Sequence, residues 1–87
     1  MSLSLQGSQV FEPPLANGQR VDICLHWGSE CGQPAADAFC KQNGFAQALE
    51  FTIAQDIGAN SPTLVLGDGK SCNAPFCDGF AKIRCGN

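Results

Sequence analysis

The chain has 87 residues, a formal net charge of −3 and six cysteines. Its five basic residues are dispersed, whereas a nucleic-acid backbone or an anionic membrane surface calls for a clustered positive face, so neither is an expected partner. A chain this short buries a modest core and gains much from cross-links. Cysteine at this density suits the disulfides of an exported protein better than the thiols of a reducing cytosol.

Residues 1–87 read as a single disulfide-rich domain, with irregular backbone expected within 1–18. The opening "MSLSLQGSQVF" has neither the basic start nor the apolar run of a leader peptide. It is read as replacing a removed leader, or as the edge of one module in a longer exported protein. No stretch approaches the roughly 20 apolar residues of a membrane span, so insertion is not expected.

"GSQVFEPP" predicts a short edge strand that Pro13 and Pro14 terminate. "ANGQ", at 16–19, predicts a tight turn because Asn and Gly tolerate positive φ. "RVDICLHW" alternates cleanly over 20–27. That pattern puts Val21, Ile23, Leu25 and Trp27 on one face of a strand, and Asp22, Cys24 and His26 on the other.

A helix is predicted over 34–43. Pro34 suits its first position, where the missing N–H costs nothing, and Gly44 suits its stop. Ala35, Ala36 and Ala38 permit close approach to a sheet, Phe39 is the anchor, and Asp37 and Lys41 are placed to pair. "QALEFTIAQ" alternates with Leu49, Phe51 and Ile53 on one side. Thr63 to Leu66 forms a brief strand stopped by an Asp-Gly turn, and "KSCNAPFCDG" is a cysteine-bound loop. "FAKIRC" closes the chain as a strand with Ala81, Ile83 and Cys85 inward and Lys82 and Arg84 outward. The expected class is α+β: a twisted, mostly antiparallel sheet of about four to six short strands, with one helix packed on it and three disulfides.

Successive cysteines are never separated by two residues, the spacing of a redox dithiol. Zinc could be drawn with Cys72 and Cys77 as one ligand pair and Cys24 and His26 as another, but six cysteines leave a remainder. His26 with Asp22 and Ser29 can be drawn as a hydrolytic triad, yet no nucleophile elbow is present. The chain is therefore read as non-enzymatic, without cofactor or metal.

As staples, the sulfurs allow 15 pairings. Cys85 shares a face with Ile83, and Cys40 lies on the helix above that face, which favours Cys40–Cys85. The other four could pair locally, as Cys24–Cys31 and Cys72–Cys77, or across the chain. The long-range choice, Cys31–Cys72 with Cys24–Cys77, is favoured because larger loops restrict the unfolded chain more.

"HWGSECGQPAADAFCKQNGF" resembles the centre of scavenger receptor cysteine-rich domains, and "FAKIRC" is similar to that family's last strand and cysteine. The resemblance implies that the helix cysteine pairs with the last one, Cys40 with Cys85. The span from Cys24 to Cys85, including "CNAPFCDGFAKIRC", also resembles a small exported cysteine-rich domain of plant and bacterial proteins with unassigned function.

Four residues are candidates for binding. Trp27 could stack on a sugar ring, though its alternation with Ile23 and Leu25 assigns it to the core. Phe76 sits behind a proline between two cysteines, either as an exposed anchor or as a plug at the end of the sheet. Lys82 and Arg84 could meet an acidic partner or form a solvated strand face. The expected function is an exported module, extracellular, periplasmic or at the cell surface, that recognises a protein or a glycan. A small thiol-redox or metal-binding protein is the alternative, and a protease inhibitor acting through "CNAPFC" is a third.

Overall fold

A computed structural model describes residues 7–87 of the chain. The first six residues, within the opening read as replacing a leader or as the edge of one module, lie outside the described part. In chain order the elements are β1 (Gln9–Phe11), β2 (Leu15–Ala16), β3 (Gln19–Val21), β4 (Cys24–His26), β5 (Ser29–Cys31), α1 (Gln33–Gln42), β6 (Gln47–Ala54), β7 (Thr63–Val65), β8 (Lys70–Cys72) and β9 (Gly79–Gly86). The class is α+β, as expected, but the strands are divided among three sheets, ordered β1-β9-β6, β2-β3-β7-β8 and β4-β5. Neighbours are antiparallel except β3 and β7.

The core lies where α1 crosses the sheet containing β9. Ala35 and Ala36 are fully buried, so the helix backbone comes close to the strands, and Phe39 inserts beside Ile83 and Phe80. The Phe39 ring meets Phe11 of β1 edge-on at 4.9 Å, and Phe51 meets Phe80 in the same way at 5.3 Å. Such aromatic pairs add about 0.5–1.5 kcal/mol each beyond the area they bury. Pro34 lies in the first helical turn, and Gly44, at φ 88°, ends the helix. Asp37 does not pair with Lys41. Its Oδ1 instead accepts from Gln33 Nε2 and from the Ala48 backbone N–H, each at 2.8 Å, tying the helix to β6.

Three alternation patterns are broken, each by an identifiable backbone event. The predicted strand over 20–27 is two strands, because Asp22 turns inward. Its carboxylate accepts from the Thr63 hydroxyl at 2.6 Å and from the Cys24 N–H at 2.9 Å. Val21 stays buried, but beyond the break Trp27 leaves the core and is 55% exposed. In β6 the ladder slips between Ala48 and Glu50, which makes Leu49 the extra residue of a bulge and turns it to solvent. A second slip makes Ala81 the extra residue of β9, so Phe80, not Ala81, joins Ile83 and Cys85 inside. Ile53, though in register with the buried Phe80, is itself exposed.

Cys40 and Cys85 are bonded, joining α1 to β9. The other two bridges are the local ones, Cys24–Cys31 and Cys72–Cys77, which corrects the expected Cys31–Cys72 and Cys24–Cys77. Loop entropy in the unfolded chain cannot select a pair that local geometry does not present. Cys24 stands directly opposite Cys31 in the β4–β5 hairpin. The Cys77 N–H donates to the Ala74 carbonyl at 3.0 Å, in a turn that folds Cys77 back on Cys72. Within 7–18, the Asn17-Gly18 turn, with both residues at positive φ, joins β2 to β3 as a two-residue hairpin. Among the described residues no helix is long and apolar enough to cross a membrane.

Candidate functional site

A cleft of about 170 Å³ opens between the tip of the β4–β5 hairpin and the Cys72–Cys77 loop. Trp27 of the hairpin tip and Phe76 of the loop both line it, together with Val65, Asp22 and Asp78. Both aromatics face solvent, Trp27 at 55% and Phe76 at 69% exposure. Trp27 is thus outside the core to which alternation assigned it, and of the two readings of Phe76 the exposed one holds.

The Trp27 wall is built from the hairpin tip. His26 and Ser29 pair across the strands, leaving Trp27 and Gly28 as the turn, with Gly28 at φ 77°. One carboxylate fixes this tip from a distance of 41 residues in sequence: Asp68 Oδ2 accepts from the Trp27 N–H at 2.7 Å. Its Oδ1 lies 2.9 Å from His26 Nδ1, and His26 Nε2 is 3.4 Å from Glu30. Gly67, beside Asp68, donates its N–H to the Leu25 carbonyl at 2.7 Å. A Cβ at Gly67 would collide with that carbonyl and with the His26 ring, so the approach requires glycine. The hydrogen bond to Asp68, followed by the negative charges of Asp68 and Glu30, raises the His26 pKa above the ordinary histidine value. His26 and then the Trp27 N–H lower that of Asp68.

The Phe76 wall is the loop closed by Cys72–Cys77. The Ala74 N–H points to Cys77 Sγ at 3.3 Å, and the Cys77 carbonyl accepts from the Ile57 and Gly58 N–H groups at 2.9 and 3.1 Å. Gly58 packs so closely that a Cβ there would strike Ala74 and Cys77. Phe76 is thus an exposed ring on a short loop fastened at several points. Below it, Asp78 Oδ1 accepts from the Asp56 N–H at 2.7 Å. The two local disulfides brace the two walls, since Cys24, Cys72 and Cys77 all border the cleft.

Of the four binding candidates, the structure unites Trp27 and Phe76 in one cleft. Lys82 and Arg84 do not line it. They flank Glu50 of β6 at 3.4 and 3.5 Å, and these contacts, with the Lys82 hydrogen bond foremost, lower the Glu50 pKa. They are engaged with their own sheet, so the expected reach toward an acidic partner would require breaking those pairs. The drawn triad is not assembled: His26 turns to Asp68, while Asp22 holds Thr63. All six sulfurs are in disulfides, including the Cys24, Cys72 and Cys77 considered as zinc ligands.

Sequence reasoning missed Asp68 and Asp78. Asp68 was legible only as half of an Asp-Gly turn, and nothing local to it points to His26 or Trp27. A larger, more polar depression of about 390 Å³ lies by the β2–β3 turn and the end of α1, bordered by Asn17, Asn43 and Leu66. It lacks an aromatic side chain, which makes the smaller cleft the stronger candidate. Comparison of the chain with family models, curated proteins and solved structures gives no match in any of the three.

Proposed function

We propose that this protein is an exported, non-enzymatic recognition module whose Trp27–Phe76 cleft seats one group of a protein or glycan partner. The observation that carries the reading is the pair of exposed aromatics, one from the hairpin tip and one from the disulfide-closed loop, that line one braced cleft. A tryptophan and a phenylalanine left in water forgo burial that is worth about 1.5–3 kcal/mol for a large apolar side chain. A partner that covers them recovers it. Because the walls are fixed by disulfides and backbone hydrogen bonds, little ordering entropy is lost on binding. Three disulfides suit an oxidising compartment, and we place the protein extracellularly, in a periplasm or at a cell surface. The resemblance of 26–45 and 80–85 to scavenger receptor cysteine-rich domains agrees with such a module, and we propose kinship with them.

The test is an array of glycans and of extracellular proteins probed with the wild type, Phe76→Ala and Trp27→Ala. Partners bound by the wild type should lose about tenfold or more in affinity with either variant, as central aromatic anchors do. Unchanged binding by both variants contradicts the reading.

One observation favours a second reading. Phe76 is the most exposed large apolar residue described, and it sits next to Cys77 in a disulfide-closed loop, a form that could enter a protease pocket for aromatic side chains. Saturable inhibition of a chymotrypsin-like protease, abolished by Phe76→Ala, would establish it. A thiol-redox or thiolate-metal role would first require one of the three bridges to be reduced.

A further inference from the structure

We infer that the Trp27–Phe76 cleft accepts a cationic side chain, arginine or lysine, from a basic segment of a partner protein. The inference rests on the reading that this cleft is a binding site, and it specifies the chemistry of the occupant.

Size comes first. Sites for small organic ligands usually enclose about 300–1,000 Å³, and this cleft has about 170 Å³. It has room for one projecting group. Charge comes second. Asp22 and Asp78 line the cleft, and no Lys, Arg or His does. Asp22 is 6% exposed, and its two oxygens accept from the Cys24 N–H and the Thr63 hydroxyl. Among the described residues no ion pair reaches either aspartate. Asp78 uses Oδ1 for the Asp56 N–H, and its Oδ2 has no protein partner among the described residues. A carboxylate at such a site favours a cation that brings its own hydrogen bonds.

The third consideration separates a cation from a sugar. A pyranose presents hydroxyls that both donate and accept, so it is held by walls offering both functions. Here the carboxylates only accept, and the indole N–H of Trp27 is the sole side-chain donor among the lining residues. Guanidinium and ammonium groups only donate. Aromatic rings attract a cation as well, tryptophan most strongly, and Trp27 and Phe76 both line the cleft. A negatively charged cleft lined by two aromatics, with carboxylate acceptors and a single side-chain donor, is therefore complementary to Arg or Lys.

The chain contains one tryptophan and no tyrosine, so its long-wavelength emission comes from Trp27 and reports on the cleft directly. The experiment titrates the intact protein with the capped peptide acetyl-Gly-Gly-Arg-Gly-Gly-amide, its Arg→Gln counterpart and chitohexaose, following that emission. The arginine peptide should give a saturable change that weakens with added salt, and the glutamine peptide and the sugar should give none. Phe76→Ala and Asp78→Asn, both changes at solvent-accessible side chains, should each weaken the arginine response about 3- to 10-fold. A response to the glutamine peptide equal to that for arginine, or one undiminished in Asp78→Asn, overturns the cation. A response to chitohexaose alone also overturns it while leaving the cleft a recognition site. Silence toward all three probes removes both the cation and the cleft.

Discussion

The half of the molecule around α1 and the β1-β9-β6 sheet contrasts with the half around the β4–β5 hairpin and the Cys72–Cys77 loop. In the first, apolar side chains from distant parts of the sequence meet in a common interior, and the bridge within it, Cys40–Cys85, spans 45 positions. In the second, the large apolar groups Trp27 and Phe76 point outward, and the bridges span 7 and 5 positions. Shape there comes from short cross-links and from backbone N–H groups captured by Asp68 and Asp22. A small domain with one sufficient core can carry a second region whose apolar surface stays available, provided local covalent and polar ties hold it. On the proposed reading, the division separates what folds the chain from what would meet a partner.

The largest effects should come from breaking the first half. Replacing Phe39, 1% exposed, by Ala should cost about 3–5 kcal/mol, as buried Phe→Ala changes do, and calorimetry should show the loss. Phe76→Ala should stay within about 0.5 kcal/mol of wild type. Equal losses would erase the contrast.

Next in size is the comparison of bridges. In the chain-entropy model, Cys40→Ala/Cys85→Ala forfeits about 4 kcal/mol and Cys24→Ala/Cys31→Ala about 2.5 kcal/mol. Denaturant titration of the two double variants measures both. A larger loss for the hairpin pair would mean that the cleft half, not the core half, carries the fold.

The smallest effect is the pH dependence of the hairpin tie. The folded-state pKa of His26 is raised, so its contribution is complete below the unfolded value of about 6.5 and is lost as pH rises through the folded value. Asp68 is lowered, so its share is present above its unfolded value near 3.8 and is lost as pH falls through the folded one. The tie is thus strongest between those limits, in mildly acidic solution. Melting temperature should fall slightly from about pH 6 to about pH 8, and the slope should flatten in His26→Gln. Both partners are exposed, so the change is small; an unchanged slope in the variant would remove the His26–Asp68 contact from the account.

The core half was largely legible in the sequence, and the cleft half was not. Pro34, the alanines and Gly44 act through their own backbone neighbours, so helix and stop could be read, and the inward face of Cys85 led to Cys40. The Asn17-Gly18 turn was equally local. Trp27 was assigned inward because alternation was carried through Asp22. What breaks that alternation is a hydrogen bond to Thr63, 41 positions away, which no local pattern records. Leu49 and Ala81 were misplaced for a related reason: a bulge shifts parity through pairing between strands. The local disulfides followed from a hairpin and a tight turn that had not been foreseen. Phe76 was half legible, since its place behind a proline and between two cysteines offered an exposed anchor and a plug at the end of the sheet alike.

The central claim is that Trp27 belongs to an open cleft and not to the interior. Acrylamide quenching of its fluorescence in the native, oxidised protein tests this most directly. The account predicts a quenching constant close to that of the denatured chain, together with long-wavelength emission. A short-wavelength emission that acrylamide barely touches would contradict it.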